Sequence, residues 1–140
     1  MQEVTFNIKG TQEIDGNTDV MDFVSIGVYE FSENEIVLEY DEGVSFGVNG
    51  VKTSLTIASD GVVTLARNGG KFGNLVIEEG KRHLCQYGTE YGDIMIGIFG
   101  ESVANRLAEN GGNLILQYTI DVNSELLSRN KVEISIREES

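Results

Sequence analysis

In residues 3–9 the apolar side chains Val4, Phe6 and Ile8 alternate one for one with Glu3, Thr5, Asn7 and Lys9. The same period of two returns at Ile36, Leu38 and Tyr40, at Val51, Leu55 and Ile57, at Leu114, Leu116, Tyr118, Ile120 and Val122, and at Val132, Ile134 and Ile136. Successive side chains of a strand point to opposite faces, so these stretches predict half-buried strands with one wet face. Between them stand Asp15-Gly16, Asn49-Gly50, Asp60-Gly61, Asn68-Gly69 and Asn110-Gly111, dipeptides that accept the positive φ of tight hairpins. Proline is absent, so the turns are left to Gly, Asn and Asp. A chain of 140 residues buries enough surface for one core without crosslinks, and a single domain over residues 1–140 is expected. About eight to ten strands with short turns and no internal repeat predict an all-β antiparallel barrel or sandwich.

Two stretches break the alternation. "MDFVSIGVYEF" puts Phe23 and Tyr29 on one face and Val24, Ile26 and Val28 on the other, and "DIMIGIF" sets Ile94, Ile96 and Ile98 against Met95 and Phe99. Strands apolar on both faces are expected to be covered on both, by the core and by a helix, a loop or a second subunit. At most one short helix is expected: "ESVANRLAENGG" offers Ser102 as a cap, Val103 and Leu107 at i and i+4, and Gly111 as a stop. The same residues also read as an irregular strand.

Ten basic residues against 23 acidic give a formal charge of −13, which repels phosphate backbones and anionic membrane surfaces. Nucleic acid and membrane are therefore not expected as partners. No apolar run approaches the roughly 20 residues of a membrane-spanning helix, and the start "MQEVTFNIKG" lacks the pattern of a secretory signal. With a single cysteine, Cys85, no internal disulfide can form, and a soluble cytoplasmic protein is expected.

Several motifs fail on their chemistry. "GVSFG", residues 43–47, matches the elbow of a nucleophilic serine, but Ser45 is followed by a turn and another strand where the motif needs a helix. "DGNTD" spaces Asp15, Asn17 and Asp19 like a calcium loop, yet Val20 and Ile26 occupy the places of the required Gly and Glu; a hairpin turn explains the stretch. His83 and Cys85 share a strand face, but two ligands do not make a structural zinc site, and side chains at i and i+2 stand roughly 6–7 Å apart, a poor catalytic pair. A packed thiol and a satisfied histidine are the simpler reading, and neither metal nor cofactor is expected. Arg67 falls on the face of Val63 and Leu65, where a guanidinium must find a carboxylate or a ligand anion.

Read in order, Gly27-x-Tyr29, Leu38-x-Tyr40, Leu65-x-Arg67-x-Gly69, Tyr87-x-Thr89-x-Tyr91-Gly92, and Gly111-Gly112-x-Leu114 with Tyr118 resemble the DUF1934 or YwiB-like family. These are small bacterial proteins with a calycin-like β-barrel and no assigned biochemical role. Phe99-Gly100 departs from the pattern, which implies a threonine closing that strand. The resemblance implies an up-and-down, lipocalin-like barrel, a shape that either holds one small ligand or is filled by side chains.

Three functions are in competition. The first is a binding module for a small amphipathic or anionic molecule, with Arg67, Tyr87, Tyr40, Tyr118 and His83 as candidate ligand-binding residues. The second is a homodimeric structural or interaction protein with a filled barrel. The third is an enzyme using His83 as acid or base with Arg67 or Tyr87 as its electrostatic partner, although no catalytic constellation is recognisable.

Overall fold

A computed structural model describes residues 2–41, 52–68, 75–89 and 92–138. They form ten strands: β1 (Gln2–Ile14), β2 (Asn17–Phe31), β3 (Glu35–Asp41), β4 (Lys52–Ala58), β5 (Val63–Asn68), β6 (Leu75–Ile77), β7 (Arg82–Thr89), β8 (Gly92–Ala108), β9 (Gly111–Val122) and β10 (Glu125–Glu138). All belong to one antiparallel sheet in the order β6-β5-β4-β3-β2-β1-β10-β9-β8-β7. Every neighbour in this order is a neighbour in sequence except β1 and β10, the first and last strands, which pair along ten register positions from Val4↔Glu138 to Glu13↔Arg129.

The sheet is nearly closed where β6 meets β7. A tight hairpin joins the two, with Glu78 bridged to Lys81 and Glu79 bridged to Gly100 of β8. The Gly80 amide donates to the Gly100 carbonyl at 2.8 Å, and the Gly100 amide donates to the Lys81 carbonyl at 3.2 Å. Closure consumes backbone groups that an open edge would expose. We call the end of the barrel carrying this hairpin lower, and the end where β3 and β5 finish and β4 begins upper.

Alternation decides what fills the interior. Val4, Phe6, Leu38, Leu55, Leu114 and Leu116 are fully buried, each from the apolar phase of its strand. Gly27 makes room for this packing, because a Cβ there would collide with the Glu39 carbonyl oxygen and stand 2.6 Å from Cε2 of Phe6. Asp15 and Gly16 both have positive φ, 50° and 80°, and make the β1–β2 turn in place of a calcium loop.

Residues 101–108 are strand, and no helix occurs among the described residues. The register of β8 against β9 slips between Gly100 and Ser102. This bulge moves the inward phase from Ile96 and Ile98 to Val103 and Leu107. Residues at i and i+4 share a face in a strand as well as in a helix, which is why the stretch read both ways. The cover expected over the second apolar faces is not supplied by the described residues. Val24 and Ile26 are 59% and 61% exposed on the outer wall, and Leu84 and Met95 are 63% and 53% exposed. No helix of the described residues is long and apolar enough to cross a membrane.

Candidate functional site

Towards the upper end of the interior three aromatic side chains form a cluster. Tyr40, near the end of β3, has its ring 5.5 Å from Phe6 and 6.2 Å from Phe23, tilted by 48° and 55°, within the range of favourable edge contacts. Tyr40 is buried, whereas Phe23 is only half-buried, so the cluster runs from the core towards solvent. Tyr40 pairs in register with Thr53 of β4, and Thr53 pairs with Arg67 of β5. Thr53 is 0% exposed, and its Oγ1 has no hydrogen-bond partner among the described residues.

The lower interior is occupied. Tyr29 crosses from β2 to the far end of β8, where its hydroxyl donates to the Ala108 carbonyl at 2.6 Å. Burial pushes its phenol up to about 12.

The seam between β6 and β7 carries a polar cluster. His83 Nε2 lies 2.9 Å from Glu78 Oε1, and Lys81 Nζ lies 3.2 Å from Glu78 Oε2. The hydrogen bonds from His83 and then Lys81 hold the Glu78 carboxyl below its ordinary range. Cys85 is buried and its sulfur accepts the Val76 amide at 3.4 Å. His83 thus turns to Glu78, and the thiol packs against β6.

On the outer wall, Arg82 of β7 reaches across β8 to Asp121 of β9 with two bonds of 2.9 and 2.6 Å. Hydrogen bonding to Arg82 keeps the Asp121 carboxyl low, with a smaller contribution from the Ser124 amide. The crossing passes over Gly97, whose added Cβ would meet Arg82 Nε and stand 2.6 Å from Asp121 Oδ2. A shallow depression of about 280 Å³ lies elsewhere on the outer wall, lined by Asn7, Ile8, Lys9, Asp22, Glu133 and Ser135. Its one cation, Lys9, stands in register between Asp22 and Glu133.

The ligand-binding candidates singled out from sequence lie on β3, β5, β7 and β9. Tyr40 and Tyr118 are buried on β3 and β9. Arg67 and Tyr87 have defined strand positions, opposite Thr53 and Ile94, while their side chains lie outside the described residues. Gly69 and Tyr91 also lie outside them, as does the serine motif at 43–47. Thr89 pairs with Gly92, so β7 runs to Thr89 and β8 starts at Gly92. His83 is the second residue of β7, beside the lower hairpin, and Arg67 is the last but one of β5, at the upper end, so their strand positions lie at opposite ends of the wall. Among the described residues no group of three or more His, Cys, Asp or Glu is placed to hold a metal ion.

Sequence reasoning missed Thr53, Arg82 and Asp121. Thr53 had a signal, a hydroxyl in the inward phase of Val51, Leu55 and Ile57. Arg82 and Asp121 had none, since their partnership spans 39 residues.

The fold is that of the YwiB protein of Bacillus subtilis, whose crystal structure superposes with a TM-score of 0.81 at 22% identity, covering 99% of this chain and 93% of that one. In sequence, the chain is 28% identical over 122 residues to the "Uncharacterized beta-barrel protein YwiB" of Bacillus subtilis strain 168, covering 87% of this chain and 84% of that protein. The profile described as "Domain of unknown function (DUF1934)" matches residues 6–134. Reaching from β1 to β10, that match makes the chain a member of the DUF1934 family of β-barrel proteins.

Proposed function

We propose that this barrel is a cytoplasmic binding module for a small amphipathic or anionic molecule, held at the upper end of its interior. The observation that carries the reading is the aromatic cluster of Phe6, Tyr40 and Phe23, buried at one side and half-exposed at the other. Such an aromatic wall suits the apolar tail of a ligand. The lower interior, tied across by Tyr29, serves as the rigid floor.

A second reading, self-association, draws on a different observation. Val20, Val24 and Ile26 of β2 are each about 60% exposed, and among the described residues Asn17–Ile26 pairs only on the β1 side. A homodimer covering this strand is compatible with a ligand inside each barrel.

Native mass spectrometry of gently purified protein, run over a range of protein concentrations and paired with thermal-shift screening of lipids and metabolites, tests both. The binding reading expects an adduct mass or a stabilising compound. A clean monomer mass with no thermal shift across the panel overturns both readings.

A further inference from the structure

Thr53 breaks a rule that the other buried polar side chains among the described residues obey. The other buried polar side chains have partners: Asp121 holds Arg82 and the Ser124 amide, and the Ser128 hydroxyl accepts from Asn130 Nδ2 at 2.9 Å. Thr53 Oγ1 is the exception, fully buried with no hydrogen bond among the described residues. Valine has nearly the same shape and an equal preference for strands, so the hydroxyl adds nothing to packing and leaves a desolvated polar group unmatched. Its position is informative. Thr53 lies in the inward phase with Leu55 and Ile57, directly opposite Tyr40 on one side and Arg67 on the other.

We propose that Thr53 is the polar anchor of the upper interior, donating its hydroxyl to a head-group oxygen of a small amphipathic ligand whose tail packs on Tyr40, Phe6 and Phe23. The proposal rests on the binding reading above and specifies the ligand chemistry: one acceptor oxygen, from a carboxylate or an alcohol, on an apolar tail. A largely apolar wall with a fixed hydroxyl orients such a molecule, since a reversed ligand leaves both the head group and Thr53 unpaired. The competing occupant is one buried water, which needs two to four polar partners of its own.

The test is calorimetric titration of decanoate and of decanol, two probes that share a tail and differ in head-group charge, into the full wild-type chain, Thr53→Val and Thr53→Ser. The wild type is expected to bind at least one probe. Thr53→Val is expected to bind it about 10-fold more weakly, the scale of one lost hydrogen bond, and Thr53→Ser within about 3-fold of wild type. Decanoate favoured over decanol assigns a charged head group; equal binding assigns a neutral one, and both keep the anchor. Wild-type affinity in Thr53→Val overturns the anchor while leaving the binding reading intact. Failure of both probes to bind the wild type overturns anchor and reading together. Should Thr53→Val not fold, the wild-type Thr53 methyl resonance decides: it must shift on titration, and its constancy in a bound complex overturns the anchor.

Discussion

Gly97 is a residue whose absent side chain is its contribution. A flat backbone there lets the Arg82 guanidinium cross β8 and reach Asp121, tying three strands and the β9–β10 turn together on the outer wall. Because the colliding atoms belong to the flexible end of Arg82, Gly97→Ala is expected to displace the guanidinium and leave the fold intact. The consequence is readable in Asp121. A carboxyl held low by its partner adds stability above the ordinary carboxylate range, and that stability is lost as pH falls through the lowered native value. Gly97→Ala should be less stable than wild type at neutral pH in urea unfolding, and the two should converge in acid. In NMR titration the Asp121 carboxyl of the variant should move back up toward its ordinary value. An unchanged Asp121 titration would show that the ion pair does not depend on Gly97. None of this was visible in the sequence, where Gly97 reads as a glycine inside an apolar strand and Asp121 as one acid among many. Gly27 was visible only as a member of a motif, and Tyr29 as that and as a neighbour of Phe23 on one strand face, without the contacts that explain them.

At the scale of elements, period-two alternation located the strands because burial on one face is the physical cause of the pattern. It failed where the geometry departs from a simple strand. The bulge at Glu101 changes the phase of β8, and the outer faces of β2 and β8 carry apolar residues that the chain's own described residues leave in solvent. The tie between β2 and β8 is also non-local. Tyr29 donates across the interior to Ala108, and its phenol, raised to about 12 by burial, stays neutral in the folded state. A raised acid contributes stability that is complete below its unfolded value near 10 and is lost as pH rises through the folded value. Wild type should therefore lose stability between about pH 10 and 12, and Tyr29→Phe should lose less over that window while being about 1 kcal/mol less stable at neutral pH. Tyrosinate absorbance together with urea unfolding at each pH measures both. Equal alkaline profiles for the two proteins would remove the cross-tie from the account.

For the whole molecule, closure organises everything else. The first and last strands pair in the middle of the sheet, and the short hairpin at 78–81 brings the two ends of the sheet order against each other. The result is an interior filled at its lower end and graded at its upper end. All-β character and the barrel family followed from alternation, turn dipeptides and the order of motifs. The division of the interior did not, since it depends on which inward residues meet across the barrel. His83 and Arg67 illustrate the limit. Each was a reasonable polar candidate, yet the topology assigns them to opposite ends of the wall.

The central claim is that a ligand occupies the upper interior. Its most direct test is the mapping of methyl and aromatic NMR shifts during titration with decanoate and decanol. Changes are expected at Phe6, Phe23, Tyr40, Thr53 and Leu55, with Tyr29 and Ala108 at the lower end unmoved. Shifts confined to the outer wall around Val24 and Ile26, or no shifts at all, would contradict it.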